Sequence, residues 1–315
     1  MTILVADVGG TNTRVGLAGA GPVDRSRISR YRNAEFASLG DVLAVYLADH
    51  LLPPPEKVCV AVAGPVRHGI GRLTNRDWIV SQEELCRVTG AATGLVLNDL
   101  SAQGHALDLV ATAPVLERYG TLAADPEETR LVIGVGTGFN AAPVYRQPQG
   151  LMVTPSECGH VTLPVWNEDG ARLAAELRRH HGFASVEDLL SGRGFPLCYQ
   201  LLTGSAPADP AQILLRAAEA PGGPESRFLQ LMVGTLGRVA GDLALVHLPF
   251  GGIVFIGGMA RALQPFFAAL GFDEGLRDKG RFSDFLAQIP VSAMQDDFAA
   301  LDGCALYARQ GAATR

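Results

Sequence analysis

The chain opens on a short apolar run, Ile3-Leu4-Val5-Ala6, continues through Asp7-Val8-Gly9-Gly10-Thr11-Asn12-Thr13-Arg14, and returns to an apolar run at Val15-Gly16-Leu17-Ala18. Apolar run, polar turn, apolar run is the pattern of a β-hairpin, and paired glycines reverse a chain tightly by taking positive φ. From Ser38 to Leu52, the residues Leu39, Val42, Leu43, Val45, Tyr46 and Leu47 recur at helical spacing until Pro53-Pro54-Pro55 stops them. The β-branched run Val58-Cys59-Val60-Ala61-Val62 predicts a strand ending in the turn Ala63-Gly64-Pro65. After a loop rich in Gly, Thr and Asn, Ser81-Gln82-Glu83-Glu84 carries a capping pattern for a second helix. Leu95-Val96-Leu97 reads as a buried strand that opens into Asn98-Asp99. Strands alternating with helices predict an α/β domain with a mixed sheet.

The opening theme returns in the middle of the chain. Leu131 to Gly136 is an apolar strand, Thr137-Gly138 a turn, and Phe139 to Tyr145 a returning strand. One supersecondary unit repeated in two halves predicts two similar domains facing each other. The second half is more helical, with helical periodicity over Gly170 to His181 and Glu225 to Leu248. His180 and His181 fall at a predicted helix C-terminus, where partial positive charge is favourable. Ile253-Val254-Phe255-Ile256 is a buried strand running into Gly257-Gly258, a helix follows from about Ala260, and Leu301 to Gln310 makes a last helix. Thr203–Pro210 and Pro221–Pro224 read as surface turns, and no long polar tract separates the halves.

Composition narrows the class. With 315 residues, 48% of them hydrophobic and 18% charged, the chain suits a globular enzyme with a substantial core and excludes a disordered chain or a coiled coil. A net charge of −6 offers no basic face for nucleic acid. The only lysines are Lys57 and Lys279, and neither stands in a P-loop pattern, so phosphate binding must rest on backbone amides, a metal and a few arginines. Cys59, Cys86, Cys158, Cys198 and Cys304 are scattered, with no C-x-x-C pair and no zinc spacing, as expected of reduced intracellular thiols. No basic segment precedes the first apolar run, which argues against a signal peptide, and the stretch Leu243–Ala260 is broken by His247, Pro249 and two Gly-Gly pairs, which argues against a membrane span. The expected location is the cytoplasm.

The turns carry the candidate chemistry. Gly9, Gly10, Thr11 and Asn12 offer backbone amides and small polar groups to phosphates, and Asp7 offers a carboxylate suited to a hydrated Mg²⁺; a plain Gly-rich hairpin is the alternative. Gly134-x-Gly136 does not fit a dinucleotide fold, because such loops open a helix and Phe139 to Tyr145 reads as strand. Asp99 at a strand end is either a projecting carboxylate or part of a helix cap. Glu157 and His160 have Glu-x-x-His spacing, but Pro155 and Gly159 make a loop rather than a metal-binding helix. Glu187, close to a helix start, is either a site residue or a first-turn acid; Gly257-Gly258 is either a floor for a flat base or a strand-to-helix turn.

Taken together these segments resemble the bacterial glucokinase family, within the hexokinase, actin and heat-shock chaperone superfamily of ATPases. The resemblance runs nearly end to end and rests on Asp7–Arg14, Asn75–Trp78, Leu97-Asn98-Asp99, Gly134–Gly138, Glu157-Cys158-Gly159-His160, Glu187 before Ser191-Gly192, and Ile253–Met259, all in the family's order. It implies an α/β, two-domain actin-like (ribonuclease H-like) ATPase fold with mixed sheets and an interdomain cleft. The small domain would hold residues 1–107 plus about 297–315, and the large domain 108–296. It implies ATP-dependent phosphorylation of glucose at the 6-hydroxyl, with Mg²⁺. Asp99 would be the base. Asn98, Glu157, His160 and Glu187 would bind the sugar. Asp7, Gly9, Gly10, Thr11, Asn12, Gly136, Thr137, Gly138, Gly257 and Gly258 would hold the nucleotide, with Asp7 acting on Mg²⁺ through water. Neither a nucleic-acid nor a membrane partner is implied, and a homodimer follows only from family habit. A kinase for another hexose and a sugar-responsive regulatory protein without turnover are the alternatives.

Three positions depart from the family's pattern: Asn140 where a small residue is common, Cys158 where glycine is usual, and Thr162 where an acid is frequent. They bear on sugar affinity and specificity, and Cys158 raises the expectation of oxidation-sensitive activity. No cysteine cluster follows His160, unlike the zinc-dependent repressor–kinase group.

Overall fold

A computed structural model describes residues 1–73, 76–206 and 208–310. Asn75, at the head of one family segment, and the end of the chain from Gly311 lie outside the described residues. Chain contacts divide the protein into two units. The first is Met1–Ala111, Arg146–Pro155 and the chain from Asp296 onward; the second is Thr112–Tyr145 and Ser156–Gln295. This division carries the first segment to Ala111 and adds Arg146–Pro155, which the sequence reading left within the large domain.

In the first unit, β1 (Ile3–Val8), β2 (Asn12–Ala18), β3 (Ser29–Arg32), β4 (Lys57–Val62) and β8 (Thr93–Asn98) form a five-stranded sheet in the order β3-β2-β1-β4-β8. β1 is antiparallel to β2 and parallel to β4, and β4 is parallel to β8. The central strands are nearly all apolar because both faces are covered. Leu4, Ala6 and Val8 face one way, onto Leu39, Val42, Leu43 and Tyr46 of helix α1 (Leu39–Asp49) and Leu85 of α2 (Gln82–Thr89). Ile3 and Val5 alternate to the other face, against Ala102 of α3 (Asp99–His105) and Leu301, Cys304, Ala305 and Ala308 of the terminal helix Ala299–Arg309. Ser38 starts α1 with a capping box to Asp41, and Pro53 follows its end. The polar loop after β4 holds a small antiparallel sheet of β5 (Val66–Arg67), β6 (Ile70–Arg72) and β7 (Ile79–Ser81).

The terminal helix is fastened to the connection between β2 and β3 by one buried acid. Asp302 accepts the Val23 backbone N–H at 2.9 Å and the Arg25 guanidinium at 2.5 Å. Close backbone approach adds to this: a Cβ on Gly303 would lie 1.6 Å from the Ala102 carbonyl oxygen.

The second unit repeats the plan. β9 (Thr112–Pro114), β10 (Arg130–Val135) and β11 (Phe139–Gln147) come first; β12 (Gly150–Val153) belongs with the first unit; β13 (Ile253–Ile256) and β14 (Val291–Met294) complete the sheet. Their order is β11-β10-β13-β14-β9. β10 is antiparallel to β11 and parallel to β13, as β1 is to β2 and β4, so the sequence near-repeat is a repeat of hairpin plus parallel neighbour. α4 (Glu168–His181), α5 (Val186–Leu189), α6 (Phe195–Thr203), α7 (Pro210–Glu219), α8 (Pro224–His247), α9 (Gly258–Leu263), α10 (Phe272–Arg277) and α11 (Ser283–Leu286) surround it. The core joins Leu131, Ile133 and Phe255 to Phe228, Met232 and Leu236 of α8 and Phe267 and Phe272. α8 is long and apolar enough to cross a bilayer, but 67% of its most apolar window is buried inside the protein. The helix after β13 starts at Gly258, two residues earlier than its apolar pattern predicts.

Asp302→Ala would leave the Val23 amide without its partner and the Arg25 guanidinium with Asp296 but not Asp302. It is expected to lower stability by about 2–3 kcal/mol, read as a shift of the urea midpoint at an unchanged slope.

Candidate active site

In the first unit the candidate residues lie in the β1–β2 turn and at the end of β8. Four residues, Gly9 to Asn12, lie between the paired Val8 and Thr13, and Gly9 N–H donates to the Asn12 carbonyl at 3.0 Å. The expected positive φ is not adopted at Gly9 or Gly10, because a reversal spread over four residues does not need it. The turn is instead held from below by buried Asn33. Its Oδ1 accepts from Thr13 Oγ1 at 2.8 Å, its Nδ2 donates to the Gly9 carbonyl at 2.8 Å, and its backbone N–H donates to the Thr11 carbonyl at 2.9 Å. Thr11 is left exposed at the tip.

Parallel pairing sets Val8 level with Val62, and Val62 level with Asn98. Asp7 and Asp99 therefore emerge at the same end of the sheet. Asn98 is the cap of α3: its Oδ1 accepts the N–H groups of Leu100 and Ser101 at 3.0 and 3.3 Å, and its Nδ2 donates to the Gly64 carbonyl at 3.2 Å. The capping role considered for the Asn-Asp pair thus falls mainly to Asn98. Asp99 is the first residue of α3, and its Oδ1 accepts the Leu100 N–H at 2.9 Å. Although Asp99 keeps some solvent contact, the protein packed around it pushes its carboxyl up to about 6, and the negative charge of Asp7 pushes in the same direction. Burial raises the Asp7 carboxyl too, against the lowering effect of Arg14, whose Nη1 lies 3.5 Å away and donates to the Asp297 carbonyl at 3.0 Å.

In the second unit the candidate residues lie in the Gly136-Thr137-Gly138 turn and the loops bonded to it. Gly136 N–H donates to the Gly138 carbonyl at 2.9 Å, Gly192 N–H to the Gly136 carbonyl at 2.8 Å, and Arg193 N–H to the Thr137 carbonyl at 3.2 Å. Thr137 is exposed. Glu187 lies under this turn: one carboxylate oxygen accepts the Phe139 N–H at 2.8 Å, the other accepts from Arg193 Nη2 at 2.5 Å. A Cβ on Gly138 would fall 2.6 Å from that carboxylate. Ser185 and Asp188 make the capping box of α5, so the helix start does not use Glu187 as its cap. Glu157 and His160 bracket a single 3-10 turn, Cys158–His160, and both are exposed. Gly159 within it packs so tightly that a Cβ would lie 2.1 Å from the Phe139 carbonyl oxygen. Gly136–Gly138, Glu157–His160 and Glu187 thus converge on the first residues of β11. At the end of β13, Gly257 has φ 107°, and a Cβ there would lie 2.4 Å from the Val135 carbonyl; Gly258 is exposed and opens α9.

Three side chains in these clusters escaped the sequence reading: Arg14, Asn33 and Arg193. Only Arg14 had a signal, since counting back from the turn pairs it across the hairpin with Asp7. Cys158 is not an activated thiol: burial pushes it up, and its Sγ lies 3.4 Å from Asn140 Oδ1. Among the described residues no group of three or more His, Cys, Asp and Glu could hold a metal. Mg²⁺ requires less than that when phosphates and water complete its shell, and Asp7, whose charge raises the Asp99 carboxyl, offers a carboxylate for it.

Comparison with known proteins agrees with this arrangement. The family model described as Glucokinase matches residues 4–311. Glucokinase of Klebsiella pneumoniae is 33% identical over 312 residues, covering 98% of this chain and 97% of the relative. Glucokinase of Yersinia enterocolitica is 32% identical, covering 98% and 96%. The solved structure of a glucokinase from an Antarctic psychrotroph is 30% identical, with a TM-score of 0.83 over 98% of this chain and 99% of that one. The repeated hairpin-plus-parallel sheets and this likeness define a sugar kinase of the actin-like ATPase fold. Within that class, the chain belongs to the glucokinase family.

The Asp99 carboxyl lies at about 6 against an ordinary value of 3.8, so the folded protein holds that proton more tightly than the unfolded chain. This contribution to stability is full at low pH and is lost as pH rises through about 6. Asp99→Asn, which mimics the protonated acid, is expected to be more stable than the parent at pH 8 and equal to it near pH 4, by denaturant midpoints of the metal-free protein. Separately, Asn33→Ala should loosen the first turn, seen as faster amide exchange at Gly9 and Thr13, with the Gly136–Gly138 turn unaffected.

Proposed function

We propose that this chain transfers the terminal phosphoryl group of ATP to the 6-hydroxyl of glucose, giving glucose 6-phosphate and ADP, in the cytoplasm. Membership of the glucokinase family supports the reaction. The observation that carries the site assignment is the pair of acids at one sheet end, with Asp99 held near pKa 6 on the first turn of a helix.

In the reaction the bond from O6 to phosphorus forms as the bond from phosphorus to the ADP oxygen breaks. Asp99 accepts the 6-hydroxyl proton. A carboxylate near 6 is mostly ionised at neutral pH yet more basic than an ordinary Asp, which suits a transition state in which the proton leaves late and orientation matters most. Asn98, Glu157, His160 and Glu187 take the remaining sugar hydroxyls, each of which both donates and accepts. Asn98 and Glu187 already have partners, so they would meet the sugar as pre-positioned groups rather than free ones. Gly9, Gly10, Thr11 and Asn12 of the first unit and Gly136, Thr137 and Gly138 of the second would offer backbone amides and hydroxyls to the phosphates. Gly257 and Gly258, at a strand end that admits no Cβ at Gly257, give the adenosine a flat approach. Asp7 would be the residue toward Mg²⁺, acting through water; the ion when bound would neutralise phosphate charge. The net charge of −6 favours a small-molecule partner over nucleic acid. The homodimer rests on family habit.

An ADP-release assay across a hexose panel tests the reading. Strong turnover on glucose is expected; a stronger response to another hexose would reassign the substrate, and silence on every hexose would favour a binding protein. Asp99→Asn should lose at least about 10³-fold in kcat while glucose still binds. Asp7→Ala should cripple turnover more than glucose affinity.

A further inference from the structure

We propose that Asn140 is a positioning residue for Glu157, its side-chain amide holding both chain neighbours of that glutamate and so aiming its carboxylate at the sugar. The inference rests on the reading of Glu157 as a sugar ligand. Asn140 is the second residue of β11, just past the phosphate-type turn. Its Oδ1 accepts the Cys158 N–H at 3.2 Å and the Ala141 N–H at 2.9 Å, with Cys158 Sγ at 3.4 Å. Its Nδ2 donates to the Ser156 carbonyl. Ser156 is held a second time, by its Oγ donating to the Ala141 carbonyl at 2.6 Å, 3.1 Å from Asn140 Oδ1. Residues 156 and 158 are thereby fixed to β11, and only Glu157 between them is uncommitted: it is exposed and makes no side-chain hydrogen bond to the 3-10 turn it precedes.

The chemistry of the contact requires an amide. One edge of the Asn140 side chain meets backbone N–H groups and the other meets a backbone carbonyl, so an acceptor and a donor must sit on one planar group of this length. A carboxylate would oppose the Ser156 carbonyl with oxygen, and an alanine would leave three main-chain groups without their partner. Glu157 itself has φ −125° and ψ 44°, outside the helix and extended regions, a conformation that fixed neighbours on both sides maintain. Rigid support of a binding group saves the ordering cost at the moment of binding.

The test uses the full chain and measures glucose binding by titration calorimetry, ATP binding separately, and steady-state kinetics. Asn140→Ala is expected to weaken glucose binding about tenfold, with kcat at saturating glucose and ATP affinity within about twofold of the parent. Combined with Glu157→Gln, it should add less than about twofold to the loss from Glu157→Gln alone, because both act through one carboxylate. Parental glucose affinity in Asn140→Ala, equal losses for glucose and ATP, or losses that multiply in the double variant would each overturn the assignment. Asn140→Asp keeps the size and breaks the donor edge. It supplies the same test if the alanine variant does not fold, and undiminished glucose affinity there would equally overturn the proposal. Glu157→Gln with unchanged glucose affinity would instead remove the underlying reading of Glu157, a separate outcome.

Discussion

Val8, Val62 and Asn98 sit level because β1, β4 and β8 pair in parallel without a slip. Asp7 is one residue before that line and Asp99 one residue after it, so two like charges meet at a sheet end although 92 residues of chain separate them. Their repulsion disfavours the arrangement. The register resists it because the central strands are buried on both faces: a one-residue slip would exchange the residues that pack on α1 with those that pack on the terminal helix. The protein thus holds two carboxylates at one sheet end, and the Asp99 carboxyl is raised first by its burial and then by the charge of Asp7.

The second unit solves a related problem by other means. Its clustered site residues are organised around backbone groups rather than around a charge pair. Phe139 is the centre: its N–H is taken by Glu187, and its carbonyl is approached by the side-chain-free Gly159. Glu187 therefore supports the Gly136–Gly138 turn with the same carboxylate that is proposed to meet a sugar hydroxyl. The turn cannot accept a Cβ at position 138 without moving that carboxylate, which explains why glycine there is a packing requirement even though its φ is not left-handed.

Much of this was legible along the chain. The two hairpins, α1 with its Ser38 cap, β4, β8, α4 and α8 each span enough residues for a period to register. The β5–β7 sheet and the β9–β14 pair were missed, since strands of two to four residues carry no period and their partners are fixed only by the folded chain. Asn33 was invisible for the same reason: its partners Gly9, Thr11 and Thr13 are 20 or more residues away. At Asn98-Asp99 the helix cap falls on Asn98, while Asp99 carries the raised carboxyl. Asn140 and Cys158, two separate departures from the family's pattern, lie against each other, a relation that spacing of 18 residues does not announce.

Charge explains the remaining design. With a net charge of −6, the chain's 26 lysines and arginines are outnumbered by its 32 acids. Each cluster has one arginine tethered to a site acid, Arg14 to Asp7 and Arg193 to Glu187. The tethers differ in strength. Arg193 reaches Glu187 at 2.5 Å, a charge-assisted contact, whereas Arg14 stands 3.5 Å from Asp7 and spends a hydrogen bond on the Asp297 carbonyl. Asp7 is therefore only partly compensated, and burial prevails over Arg14 in setting its protonation. An acid left in that condition gains more from a nearby divalent cation than one already paired, and this supports Asp7 rather than Glu187 as the acid proposed for the metal side.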